Sequence, residues 1–247
     1  LLQKVTETLY KLSIRKNKLI VFQNKDDYKL FWDRNIISKD QKVDFVGGSG
    51  VNLDSYPTRV NNNTSKKIIF VMVARLIREK GIHLFVEAAQ VLKESYHNAE
   101  FHVIGAPDVS PSAISMDRLN KLHEKQIIVY HGRQNNVAEF LYNSDVFVLP
   151  TFYREGIPRS ILEALSVGLP VITTDSPGCK ETVVNEENGR LITPNDFDSL
   201  LVAMRNLLEN TSQIREMGIK SRELAEKKFD VKIINKKLIG LIDSVLD

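Results

Sequence analysis

Cysteine is nearly missing from this sequence. Cys179 stands alone, so no internal disulfide can form, and the usage fits a reducing compartment. No apolar run approaches the ~18 residues that mark a membrane-spanning helix. Charge of either sign is not in excess: 34 Lys and Arg face 31 Asp and Glu, and a net +3 is too small to argue for nucleic acid. The five histidines, His83, His97, His102, His123 and His131, form no HExxH or other tight pair, so no metal site is expected. Walker A, GxGxxG and G-x-S-x-G patterns are absent, and no repeat of 20–50 residues is evident. The chain opens on Leu1 rather than Met and without a signal-peptide pattern, and reads as starting within a longer protein.

What is present is an ordinary globular composition, 43% hydrophobic and 26% charged over 247 residues, enough for one full core and part of a second. Short buried-type strands alternate with helical periods. Strands are expected at Lys18–Gln23, Val43–Val46, Lys67–Val73, Glu100–Ile104, Ile127–His131, Val146–Pro150, Pro170–Thr174 and Gly189–Ile192. Helices are expected at Lys25–Asn35, Ile82–Ser95, late in Ser110–Lys125, at Val137–Asn143, Ser160–Val167, Asp198–Asn210, Gln213–Phe229 and Val231–Leu246. That alternation predicts an α/β fold with a parallel sheet between helices. A leading helix, Leu2–Leu12, sets Leu2, Val5, Leu9 and Leu12 among Lys4, Lys11, Arg15, Lys16 and Lys18; it suits an anionic membrane surface or a solvated basic face. The run Gly47-Gly48-Ser49-Gly50-Val51-Asn52 fits a hinge, a loop approaching phosphate, or a turn. Asp54–Lys67 is polar and rich in Asn, as a linker would be.

The chemistry concentrates in Thr151–Asp175, TFYREGIPRSILEALSVGLPVITTD. Strand, loop, helix and strand make a βαβ unit here, and such sheets bind ligands beyond the carboxyl ends of their strands. The loop Arg154–Arg159 therefore faces a ligand, and its N–H groups with the helix N-terminus favour an anion. Glu155 and Glu163 flank the helix start with seven residues between them. Ser160-x-x-Glu163 also fits a capping box, and Glu155 a solvated loop acid. Upstream, Arg75 and Lys80 follow the strand Lys67–Val73 and precede a helix, where a planar guanidinium and a compact ammonium suit phosphate oxygens. Arg78 between them reads as solvated. Arg133 and Gln134 follow another strand end, facing either a ligand or solvent.

Glu155-x7-Glu163, with Gly156 and Pro158 between, resembles the signature of GT4-family retaining glycosyltransferases of the GT-B fold. Gly48-Ser49-Gly50-Val51-Asn52, the R-x4-K-G element Arg75–Gly81, and the Ser176–Thr182 loop resemble further family segments in the same order. The resemblance implies a complete C-terminal Rossmann-like domain at 67–229 and, at 1–58, the end of an N-terminal acceptor-side domain. Residues 59–66 would link them, and 230–247 would pack back as a final helix. It implies sugar transfer from a nucleotide sugar, UDP-sugar above all, with retention of configuration and without a metal. Arg75 and Lys80 would stabilise the departing diphosphate, helped by the N–H groups of Gly156 and Ile157. Glu155 would orient the donor sugar and Glu163 the ribose, with Pro158 in the donor loop and Arg133 and Gln134 beside the base. The version REGIPRSILEA is similar to bacterial enzymes of capsule, O-antigen or lipid-linked oligosaccharide synthesis. Those would act in the cytoplasm on glycan or polyprenyl-diphosphate-linked acceptors, with peripheral association at the inner membrane through the upstream domain. This chain by itself would then turn over little. The alternatives are a stand-alone nucleotide-sugar-binding module and a UDP-sugar 2-epimerase of the same fold.

Overall fold

The computed structural model describes residues 2–59 and 67–246. The linker expected at 59–66 lies almost wholly outside the described residues. Two parallel sheets form. Helix α1 (Leu2–Ile14) leads into strand β1 (Leu19–Phe22), helix α2 (Lys25–Asp33) and strand β2 (Lys42–Phe45), and β1 pairs with β2 in parallel. Asn24 caps α2: its side chain accepts from the Asp27 N–H at 2.7 Å, which satisfies one of the free donors of the first turn. Helix α1 buries no residue, and Leu2, Val5, Leu9 and Leu12 all stand exposed.

The larger sheet is built from β3 (Ile68–Val73), β4 (Ala99–Ile104), β5 (Val129–Tyr130), β6 (Val146–Leu149), β7 (Val171–Thr174) and β8 (Gly189–Ile192). Between them run α3 (Ile82–Ser95), α4 (Met116–Glu124), α5 (Val137–Tyr142), α6 (Arg159–Val167) and, after β8, α7 (Phe197–Glu209) and α8 (Thr211–Leu224). The strands are all parallel in the order β5-β4-β3-β6-β7-β8. Strands buried on both faces need apolar runs rather than alternation, and β6 (VFVL) is buried at every position. Phe70, Phe101, Phe85 and Phe147 fill the centre between sheet and helices. The order reverses between β3 and β6. At that switch point the loops leaving the two strands meet beyond their carboxyl ends.

Two expectations need correction at element ends. Helix α8 starts at Thr211 and stops at Leu224; a wider π turn, Ala225–Phe229, follows, and Phe229 is buried. The capping box at Ser160 does not form. Pro158, at φ −63°, is the N-cap residue, so Ser160 already lies inside α6 and its hydroxyl has no end to cap.

The last helix, α9 (Val231–Leu246), crosses to the small sheet. Val51 N–H donates to the Phe229 carbonyl and Val231 N–H to the Val51 carbonyl, at 2.8 and 3.0 Å. Lys237 pairs with Asp44 at 2.9 Å, and Lys42 reaches the Ser244 hydroxyl at 3.1 Å. The glycine run 47–50 sits under this crossing and beside the Arg154–Arg159 loop, with Gly48 against Ile157. Among the described residues no helix is long and apolar enough to cross a membrane.

Candidate nucleotide-sugar site

Both loops at the switch point are shaped by backbone contacts before any side chain matters. After β3 the chain passes Arg75 and a short 3-10 turn, Arg78–Lys80, which ends on Gly81 at φ +80°. A Cβ on Gly81 would lie 2.2 Å from the Pro150 carbonyl oxygen, so only glycine lets this turn close on the end of β6. The Glu79 carbonyl then accepts from the N–H groups of Phe152 and Tyr153, at 2.9 and 3.1 Å. The Thr151 hydroxyl lies 2.9 Å from that carbonyl and 3.3 Å from Glu155 Oε1. Thr151 is fully buried.

This closure delivers Lys80 to Glu155. Lys80 Nζ pairs with Glu155 Oε1, with the two side chains only 14% and 13% exposed. The ammonium also lies 5.5 Å from the centre of the Tyr153 ring. A cation and a carboxylate from opposite sides of the switch point thus share one half-buried position. Each neutralises the other there.

On the far side of Glu155 the backbone is held by Gly178, φ +84°. Its Cβ, if present, would overlap the Gly156 carbonyl oxygen at 1.4 Å. The next residue, Cys179, is fully buried. Burial pushes its thiol up to about 12, with the Glu155 carboxylate adding to that, so the thiolate needed for nucleophilic chemistry does not form at neutral pH.

The remaining expected residues fall in different places. Glu163 is buried at 8% exposure on α6. It accepts from Arg159 Nε at 3.0 Å, and the Tyr56 hydroxyl bonds to it. Burial and then this carboxylate push the Tyr56 phenol up to about 12. The two carboxylates of the seven-residue spacing therefore have separate partners. Arg75 is on the rim, 59% exposed and paired with Asp108 at 3.0 Å. Arg133 is exposed, as is Arg78, while Gln134 turns back to donate to the His131 carbonyl at 2.5 Å. The Ile157 N–H, expected to face an anion, donates to Gln23 Oε1 at 3.0 Å. Among the described residues no group of three or more His, Cys, Asp or Glu is placed to hold a metal ion.

Four partners were not singled out in the sequence: Thr151, Tyr56, Gln23 and Arg159. Only Arg159 left a local signal, its i, i+4 spacing to Glu163 on one helix face. Thr151 lies in the same loop, four residues before Glu155, while Tyr56 and Gln23 reach the site across the fold.

Beside Gln134, His131 and His102 lie with ring centres 4.9 Å apart and ring planes tilted by 51°. His102 Nε2 lies 3.2 Å from Glu100 Oε2, and His131 Nε2 lies 3.2 Å from His102 Nδ1. An acidic oxygen at one end makes His102 Nε2 a donor, so its Nδ1 accepts from His131. Burial holds both imidazoles below the usual histidine range. The neutral forms are thus favoured in the fold, whereas the unfolded chain takes up protons near pH 6.5. Stability is expected to be constant above about pH 6.5 and to fall as pH drops below it, until the depressed folded values are passed. Thermal unfolding followed from pH 7.5 to 5.5 checks this, and His131→Gln should shallow the decline.

A parallel sheet in this order, with a cation–carboxylate pair at its switch point and a helix N-terminus beside it, defines a doubly wound α/β protein. The glycosyl transferases group 1 model matches residues 58–224, and the chain belongs to that family. The chain is 31% identical over its whole length to the Campylobacter jejuni N,N'-diacetylbacillosaminyl-diphospho-undecaprenol alpha-1,3-N-acetylgalactosaminyltransferase, covering 65% of that relative. To the Escherichia coli UDP-Gal:alpha-D-GlcNAc-diphosphoundecaprenol alpha-1,3-galactosyltransferase it is 29% identical over 87% of this chain and 58% of that one. The chain thus spans less than two-thirds of the length of these relatives. Among solved structures, Anabaena HepE in complex with UDP superposes with TM-score 0.82 at 18% identity, over 96% of this chain and 68% of that one. The Thermosynechococcus elongatus sucrose-phosphate synthase gives TM-score 0.82 at 21% identity, over 98% and 62%. At such identities the likeness is one of fold, and the fold is GT-B.

Proposed function

We propose that this chain carries the donor site of a retaining glycosyltransferase that moves a sugar from a UDP-sugar to a polyprenyl-diphosphate-linked or other glycan acceptor. The observation that carries the reading is the Lys80–Glu155 pair at the β3/β6 switch point. A nucleotide sugar needs a cation for its diphosphate beside an acceptor of sugar hydroxyl protons, and this pair supplies both. Lys80 stabilises negative charge on the departing diphosphate, with Arg75 joining from the rim. Gly156 and the first turn of α6 offer N–H groups to the same charge, and Pro158 fixes the helix entry. Glu155 orients the sugar and Glu163 the ribose hydroxyls, with Arg133 and Gln134 at the edge where a base would lie. No metal is required by this scheme, because the side-chain cations take that part. The names of the two enzymes compared above support a sugar carried on undecaprenyl diphosphate as acceptor. That acceptor places the work at the cytoplasmic face of a bacterial inner membrane, in capsule, O-antigen or lipid-linked oligosaccharide synthesis.

Calorimetric titration with UDP, GDP and ADP tests the donor reading. Selective UDP binding is expected, weakened about tenfold in Arg75→Ala and in Glu163→Gln, each of which removes one charged hydrogen bond, about 1.4 kcal/mol. Equal binding of all three nucleotides by the native chain and both variants would overturn it.

A further inference from the structure

The donor loop is gripped from the small sheet. Gln23, the residue after β1, accepts from the Ile157 N–H through Oε1 at 3.0 Å. The same oxygen would lie 2.3 Å from a Cβ on Gly156, so the carboxamide rests flush on the loop backbone. Asp27, in the first turn of α2, binds Arg154 Nε through Oδ1 at 2.7 Å. Its other oxygen, Oδ2, takes the Asn24 Nδ2 donor at 2.8 Å, and Asn24 is 3% exposed. Asp26 pairs with Lys180 at 2.9 Å, next to the Gly178 turn that abuts the Glu155 and Gly156 carbonyls. Residues on either side of Glu155 are thus held by one turn, 134 residues away in sequence at Gln23.

We propose that the β1–α2 turn is a latch that positions the donor loop, with Gln23 as its positioning residue and Asp27 as its second contact. This rests on the donor-site reading above. Two features favour a working latch over incidental packing. The turn is prepared in advance, since the buried Asn24 both caps α2 and fixes the Asp27 carboxylate. The contacts themselves are few and partly exposed, Arg154 at 45% and Lys180 at 36%, so they can release and re-form as the two sheets shift. With the latch closed, Arg154 and Ile157 are fixed, and Glu155 between them has little choice but to meet Lys80. With it open, the loop loses its outer support and Lys80 its partner's geometry. Donor affinity then depends on a residue that no donor atom needs to touch.

Amide exchange in the segment 154–158 and UDP titration, both on the full chain, test this together. In Gln23→Ala the Ile157 amide is expected to exchange at least tenfold faster and UDP affinity to fall about tenfold; Asp27→Asn should move both in the same direction. Gln23→Glu keeps an acceptor oxygen for the amide and should restore slow exchange, which a general loss of packing would not do. Unchanged exchange in Gln23→Ala overturns the latch. Faster exchange with unchanged UDP affinity, while Glu163→Gln still weakens binding, shows that the latch does not serve the donor and overturns its proposed role. A native chain that binds none of the three nucleotides overturns the donor reading and the nucleotide half of this proposal, and the exchange arm still decides the contact itself.

Discussion

Replacing Lys80 by Met is expected to lower UDP affinity by on the order of 100-fold, about 2.7 kcal/mol. Two effects add. A charge-assisted hydrogen bond to the diphosphate is lost. Glu155, 13% exposed, is then left as an unpaired carboxylate facing the incoming phosphates. That same orphaned charge should cost the fold about 1–3 kcal/mol, because a half-buried ion without its partner keeps its desolvation penalty. Adding Glu155→Gln should recover most of the stability and only part of the affinity. Glu155→Gln alone separates the roles further. It frees Lys80 from competition, so UDP should bind at least as well as to the native chain, while UDP-sugar loses its extra affinity over UDP. Calorimetry with both ligands and denaturant titration of the three variants measure each effect. Should Lys80→Met bind UDP within threefold of the native chain, the diphosphate is held elsewhere and the switch-point assignment is wrong.

The elements on which this prediction depends were largely legible. Buried parallel strands leave unbroken apolar runs, and KIIFVMV and VFVL mark β3 and β6 without reference to anything distant. Helix α3 was readable to the residue, since Gly81 precedes its first apolar position and its period is regular. The cation and carboxylate stood beside strand ends, and strand order places those ends together once β3 and β6 are neighbours. What could not be read was pairing across the fold. Nothing near Gln23 says that its carboxamide faces Ile157, and nothing near Tyr56 points to Glu163. A capping-box spacing at Ser160 misled for a local reason: Pro158, whose ring already holds the φ a helix needs, starts α6 two residues earlier. The end of α8 misled because apolar periodicity continues through Phe229 while the turn widens beneath it.

The other large effect lies at the opposite end of the same two strands. Asp145, just before β6, is 10% exposed and binds Arg59 Nη1 at 3.0 Å, with the Arg59 side chain 9% exposed. Arg59 also donates to the Ser144 carbonyl. The second oxygen of Asp145 accepts from the Ile69 N–H at 2.9 Å, and the Asp145 N–H donates to the Ile69 carbonyl at 2.8 Å. One side chain therefore ties the start of β6 to the start of β3 and pairs with the Arg59 guanidinium. Asp145→Ala strands that charge and an N–H together. The expected loss is about 3–5 kcal/mol, the range for breaking a buried pair from one side. For a chain of this size that is a fall in Tm of roughly 6–20 °C. Asp145→Asn keeps one acceptor oxygen but gives up the charge and turns an NH2 donor toward either Arg59 or the Ile69 N–H, so it should recover only part of the loss. Arg59→Met with Asp145→Leu removes both charges at once and should recover much of the loss, because the costly state is the lone ion rather than the absent pair. Guanidinium unfolding of the three variants orders them. An Asp145→Ala chain within 1 kcal/mol of native would mean that water reaches Arg59, and the tie between the strands would then have to be sought in the β3–β6 backbone ladder alone.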